Sequence, residues 1–293
     1  MIEAKNLTKI YSNGKGIFDV SFTVGEGEVF GFLGPNGAGK TTTIRNLMGF
    51  VNPTSGSARV NGLDSRSKSA EIQRILGYVP GEISFFDNMN GMQFMKFMAD
   101  MRGDHNVKRQ KQLIEMFELE SDRKIRKMSK GMKQKLGLIT AFMHDPSVLI
   151  LDEPTSGLDP LMQKRFIELI MEEKKRGKTI LMSSHMFEEV ERTCERVAII
   201  REGKIVAVED IRELKATLQK SYYITLENGE DLEKIKASGL KFNLIGDHRV
   251  EIFISNNYDE LFSTLAKCKV TGFDSVEQTL EQIFISYYGK EAK

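Results

Sequence analysis

The chain has 293 residues, 28% of them charged, yet its formal net charge is only +1, so it lacks the polyanion-attracting field of free DNA- and RNA-binding proteins. Its two cysteines, Cys194 and Cys268, are far apart with no C-x-x-C spacing and no histidine-rich surroundings, which argues against a disulfide framework or zinc site and fits a reducing compartment. The opening residues MIEAKNLTKIY do not form a signal-peptide pattern, and no run of about 18 uncharged apolar residues occurs. A membrane would therefore be served from its aqueous side. The length suits one large domain with a small one, or two of moderate size.

In chain order, residues 2–7, a turn at Asn13-Gly14 and residues 17–24 read as antiparallel strands. Tyr11, at the end of the first, could stack on a purine base or cap a sheet edge; the residue alone favours the edge. Val29, Phe30, Gly31, Phe32 and Leu33 read as a buried strand entering the stretch 34–42, which is Gly34, Pro35, Asn36, Gly37, Ala38, Gly39, Lys40, Thr41 and Thr42. This matches G-x-x-x-x-G-K-[ST]. A strand, a glycine-rich turn and a helix starting near Lys40 let successive N–H groups wrap a polyphosphate while the helix N-terminus faces its charge. Lys40 would bridge the terminal phosphates and the Thr41 hydroxyl would bind Mg²⁺. The helix is expected to run through 42–50, followed by a strand at 57–60 and a short strand at 76–79 that Pro80-Gly81 breaks. Residues 84–120 are helical in pattern and rich in Met and Phe, which suits an adaptable helical core or a docking groove for a partner helix.

Residues 128–134 read MSKGMKQ, ahead of a long helix expected over 135–144. Pro146 introduces the apolar run 148–151, which ends in Asp152 and Glu153. A buried parallel strand of that kind presents carboxylates at its carboxyl end. In P-loop ATPases the first acid completes a Mg²⁺ shell and the next can polarise the attacking water. A turn at 154–160, a helix at 161–176 and a strand at 179–182 lead to Ser183, Ser184 and His185, at the sheet edge where open α/β sheets bind ligands. From 214 the texture changes: a strand at 221–226, a helix at 232–237, a hairpin of 240–245 with 249–254, a helix at 258–267, a strand at 270–273 and a helix at 276–287 with the stripe Leu280, Ile283, Phe284. This small α+β appendage has no phosphate loop, metal cluster or nucleophile constellation.

The phosphate loop, MSKGMKQ, the strand ending in Asp152-Glu153, the loop Ser156-Gly157-Leu158-Asp159 and His185 occur in one order and spacing. Residues 1–213 thereby resemble the ATP-binding subunit of an ABC transporter, in the branch that works with ABC-2 type membrane subunits. The resemblance implies an α/β P-loop NTPase with a RecA-like core, an antiparallel β subdomain, an α-helical subdomain at about 84–145 and an α+β accessory domain at 214–293. It implies ATP and Mg as cofactors, with Thr41 and Asp152 at the metal, and either Glu82, from a shifted loop, or water where the family has a glutamine. Tyr11 then stacks on adenine, Lys40 holds the phosphates, Glu153 activates water and His185 holds the γ-phosphate. Ser129 and Gly131 reach the nucleotide of a second copy in a head-to-tail homodimer, and Asp159 links the two sites. Two departures stand out: Lys130 and Met132 within the signature, and Gly81-Glu82 where the family has a metal-binding glutamine. The implied partner is a polytopic membrane permease, with no nucleic acid. The implied location is the inner face of the cell membrane, and the implied work is export of a drug, peptide, lipid or ion. A ribosome-directed relative would carry two such cassettes, and a DNA-repair relative would have a long coiled coil between Thr42 and Ser129, where no sustained heptad repeat occurs.

Overall fold

Uniformly apolar runs and alternating runs separate into different sheets in the computed structural model, which describes residues 1–217, 220–254 and 257–276. The chain divides into two compact units, Met1–Ile211 and Arg212–Lys293. In the first, β1 (Ile2–Ile10) pairs antiparallel with β2 (Gly16–Val24). Five buried residues make β3 (Val29–Leu33), which enters the phosphate loop and α1 (Lys40–Leu47). Then come β4 (Ser55–Val60), β5 (Leu63–Asp64), α2 (Ser69–Ile75) and β6 (Leu76–Val79). The helical layer holds α3 (Gly91–Arg102), α4 (Val107–Met116) and α5 (Lys130–Phe142). The remainder is β7 (Val148–Asp152), α6 (Pro160–Lys175), β8 (Thr179–Ser184), α7 (Phe187–Thr193), β9 (Arg196–Arg201) and β10 (Lys204–Asp210), and α8 (Ile211–Thr217) begins at the last residue of this unit.

The four-stranded sheet β2-β1-β4-β5 is antiparallel. The six-stranded sheet has the order β10-β9-β3-β8-β7-β6, parallel throughout except for β10. One core joins them: Ile2, Leu7, Ile17 and Val60 from the first sheet, Phe30, Phe32, Ile150 and Leu181 from the second, and Ile44 and Leu47 of α1 between. Apolar burial of this extent, worth roughly 25 cal/mol per Å², fixes the strand ends on which the site is built. This is the P-loop NTPase arrangement with an added antiparallel sheet.

Several elements depart from sequence expectation for local reasons. The first helix stops at Leu47 rather than running to 50, because Gly49 turns left-handed (φ 69°). Residues 84–89 are irregular, and the helical stretch begins at Gly91 with an Asn90–Gln93 capping box. The long helix expected from 135 begins at Lys130, because Ser129 accepts the Met132 N–H (3.2 Å) as its N-cap. MSKGMKQ is thus largely a helix start. The hairpin β9–β10, which fills one end of the large sheet, was not anticipated.

A buried ion network ties the helical layer to the sheet. Glu173 of α6 is 0% exposed and pairs with Arg109 of α4, with Arg176 at 2.9 Å and with Lys178 at 2.5 Å. Asp145 extends it to Arg176 and Lys178. Removing one partner of such a buried set costs about 3–5 kcal/mol, because a charge is left unpaired.

In the second unit the order is β11 (Lys220–Leu226), α9 (Asp231–Lys236), β12 (Lys241–Gly246), β13 (Arg249–Ile254), α10 (Tyr258–Leu265) and β14 (Val270–Val276). The antiparallel sheet β12-β13-β11-β14 carries both helices over a core of Ile224, Ile235, Val250, Ile252 and Leu261. This β-α-β-β-α-β order is that of ferredoxin-like folds. The helix expected at 276–287, with Leu280, Ile283 and Phe284, lies outside the described residues apart from Val276, which ends β14.

Burial, reinforced by the charge of Arg102, pushes the His144 imidazole from its ordinary 6.5 down to about 4. The unfolded chain takes up this proton near pH 6.5 and the folded chain only near pH 4, so stability falls as pH drops through that window. Urea unfolding at a series of pH values should show that loss, and His144→Gln should flatten it. An unchanged slope in the variant contradicts the burial argument.

Candidate active site

Because β3, β8 and β7 are neighbours in the parallel sheet, their carboxyl ends bring three sequence segments to one edge. These are the phosphate loop, Ser183 to His185, and Asp152 with Glu153. A cleft of about 550 Å³ opens there. Tyr11, Pro35, Asn36, Gly37, Gly39, Lys40, Thr41, Thr42, Glu82, Glu153 and His185 line it. Gly34, Ala38 and Asp152 do not line it; Ala38 and Asp152 are buried.

Lys40 is buried, and its ammonium donates to Gly34 O (2.5 Å) and Pro35 O (3.2 Å). It also lies 3.0 Å from Glu153 Oε1. The other oxygen of Glu153 meets His185 Nδ1. Glu153 holds a left-handed backbone (φ 50°), uncommon for a residue with a Cβ, and its N–H donates to Ser183 O (3.2 Å) and Ser183 Oγ (3.1 Å). Gln134 Nε2 donates to Pro154 O at 2.7 Å. The turn that aims Glu153 is thus held from α5 and from β8.

Asp152 is 0% exposed and its Oδ1 accepts the Ser183 hydroxyl at 2.5 Å, whereas Oδ2 has no hydrogen-bond partner. A Cβ built on Gly81 would lie 3.1 Å from Oδ2. A buried carboxylate oxygen without a donor is costly unless a cation meets it. Gly81 and Thr41 both line the cleft, so the Asp152 oxygen that faces Gly81, together with the Thr41 hydroxyl, makes a donor set suited to a hard divalent ion that keeps several waters. Burial, with the charge of Asp152 adding, pushes the Tyr78 phenol up to about 12, so it stays a donor at the cleft wall.

Ser129, Gly131 and Asp159 are not brought to this cleft. Ser129 caps α5, and exposed Asp159 caps α6 by accepting the Met162 N–H at 3.0 Å. A Cβ on Gly131 would lie 2.8 Å from Gly157 O, so the start of α5 packs on the turn before α6. Sequence reasoning missed Lys15, Arg45, Tyr78 and Ser156, which also line the cleft. Arg45 follows Thr41 by one helical turn, a spacing that could have revealed it.

The family described as ABC transporter matches residues 17–156. The chain is 39% identical over 209 residues to the bacitracin transport ATP-binding protein BcrA of Bacillus licheniformis, covering 70% of this chain and 68% of that one. It is 32% identical over 299 residues to an uncharacterized ABC transporter ATP-binding protein, YhaQ of Bacillus subtilis, covering 99% of both chains. The chain belongs to the ATP-binding proteins of ABC transporters. A solved structure of an ATP binding subunit of an ABC transporter, 30% identical, superposes with a TM-score of 0.69 over 74% of this chain and 92% of its own. As a member of this family the chain is an ATP-binding, ATP-hydrolysing transport subunit, and the ribosome or nucleic-acid alternative is not favoured. Among the described residues no helix is long and apolar enough to cross a membrane.

Gly39, the residue before the helix, has φ 115°, and a Cβ there would lie 2.7 Å from an Ile17 methyl. Gly39→Ala should weaken ATP binding at least about 10-fold and also lower the melting temperature, since the added methyl strains a left-handed position and meets Ile17 of the core. Calorimetric titration with ATP that matches wild type contradicts the loop's proposed grip.

Proposed function

We propose that MgATP binds in this cleft, that two copies of the chain close head-to-tail around two nucleotides, and that hydrolysis drives a separate membrane permease. The observation that carries this reading is the meeting of Glu153 with both Lys40 and His185 at the phosphate loop, together with the free oxygen of buried Asp152 next to Gly81. Catalysis of phosphoryl transfer to water is mainly positioning and charge stabilisation. Glu153 accepts the proton of a water as its oxygen attacks the γ-phosphorus, the bond to the ADP oxygen breaks, and His185 steadies the γ-phosphate and the water. Lys40 leaves the loop carbonyls for the phosphates, Tyr11 stacks on the adenine, and the loop amides satisfy phosphate oxygens. Thr41, Asp152 and waters in the space left by Gly81, with Glu82 at its rim, would hold Mg²⁺, which neutralises charge as the bond breaks.

Ser129, Gly131 and Asp159 stay outside their own cleft, which fits residues that complete the site of a second copy. Ser129 is exposed at the N-terminus of a 13-residue helix, where N–H groups and helix dipole attract phosphate. Lys130 lines the cleft and adds positive charge. The catalytic part is assigned to residues 1–213, with the helical subdomain at about 84–145, and 214–293 act as an accessory domain. Both sequence readings of the Met- and Phe-rich stretch have support: Phe94 and Met95 are core, while Phe86, Met92 and Met101 are exposed and offer a surface for the permease. The relation to a bacitracin transport protein supports export from the inner face of the cell membrane.

Glu153→Gln should retain ATP binding but reduce turnover by about 100-fold or more and accumulate an ATP-bound dimer; wild-type hydrolysis by that variant would remove Glu153 as the base. Ser129→Arg should abolish ATP-dependent dimerisation while nucleotide affinity of the single chain stays nearly unchanged. Sedimentation with ATP that still showed a dimer would defeat the shared-site reading.

A further inference from the structure

Glu189 has no part in the mechanism above, yet its residue is 2% exposed. A carboxylate out of water persists where neighbouring groups hold it. The Ser184 hydroxyl donates to Glu189 Oε2 at 2.8 Å, and the same hydroxyl accepts the Met186 N–H at 2.9 Å. Ser184 and Met186 are the residues on either side of His185. One hydrogen-bonded chain from Glu189 therefore closes the turn on which the histidine stands.

The anchor is held through one oxygen: Oε2 takes the Ser184 hydroxyl, while the buried Oε1 has no hydrogen-bond partner. Glu189 sits in α7 beside Val190, which is fully buried, and α7 packs on α6, β3 and β8. Its own carbonyl accepts the Thr193 hydroxyl at 2.6 Å. Burial pushes the Glu189 carboxyl up, while the hydroxyls of Thr155 and Ser184 draw it back down. Thr155 is two residues beyond Glu153, so the carboxyl sits between the turns that carry both members of the Glu153–His185 pair. His185 is itself exposed, and its ring is fixed by the turn beneath it and by Glu153.

We propose that Glu189 is a positioning residue for hydrolysis: through Ser184 it holds the His185 turn so that the imidazole meets Glu153 and the γ-phosphate. This rests on the assignment of Glu153 and His185 to hydrolysis. A supporting group of this kind acts by geometry, and loss of about 1 Å of positioning costs on the order of 100-fold in rate.

The test is single-turnover and steady-state ATP hydrolysis by the full chain, with thermal melts alongside, for Glu189→Ala, Glu189→Gln, Ser184→Ala, His185→Ala and the double variant Glu189→Ala with His185→Ala. Glu189→Ala should lower kcat about 10- to 100-fold with the KM for ATP within about threefold, because the lost interaction orients the reacting groups rather than binding nucleotide. Glu189→Gln, which keeps an acceptor oxygen and the volume, should recover most of the rate. In the His185→Ala background the Glu189 change should add nothing, since both act through one histidine. Should Glu189→Ala not fold, Ser184→Ala reads the same link. A kcat for Glu189→Ala within about twofold of wild type, or a loss that persists undiminished on top of His185→Ala, overturns the proposal. If His185→Ala and Glu153→Gln themselves hydrolyse ATP normally, it is the underlying site assignment that fails.

Discussion

A buried ammonium must be paired, and the placing of Lys40 follows from that constraint. Its charge is taken out of water by the packing of α1 between two sheets, and the groups that compensate it are loop carbonyls and Glu153. Those partners are what a triphosphate would displace, since phosphate oxygens give stronger, charge-assisted bonds to the same ammonium. In the proposed cycle, release of Glu153 from Lys40 is then part of nucleotide binding: the group that compensates the lysine at rest becomes available to accept a proton. One electrostatic requirement thus serves both stability and chemistry.

The elements that hold the site were the ones easiest to read from the sequence. β3, β7 and the apolar part of β8 are uninterrupted buried strands with sharp ends, so the run Val29 to Leu33 coincides with β3 and the apolar run from Val148 to Leu151 makes all of β7 but Asp152. Caps and turns were harder. MSKGMKQ contains glycine and four polar or charged residues, which look like a loop until Ser129 is seen to close the first turn of α5. The stretch after His185 gave no motif, and β9 and β10 entered only through the pairing of Phe30 with Arg196 and of Val197 with Glu209. Asp152 and Glu153 show the deeper limit. The sequence assigns the two adjacent acids different roles, one at a metal and one at the attacking water, but only the fold shows that the first is buried with a free oxygen and that the second turns, through φ 50°, toward Lys40 and His185.

The second unit shows how far a fold leads without a site. Its split arrangement of strands and helices is well determined by alternating apolar residues on β11 and β13, yet among the described residues no group of His, Cys, Asp and Glu there could hold a metal. Ferredoxin-like units support many unrelated roles. The match to YhaQ, which covers 99% of both chains, extends over this region.

The ion network around Glu173 has a thermal consequence. Glu173 joins α4 to α6 through charges removed from solvent, so added salt screens it weakly. The desolvation penalty of such groups falls as temperature rises, while apolar stabilisation per unit area levels off. On heating, the joint between the helical layer and the sheet therefore holds its strength relative to the apolar contacts elsewhere in the unit.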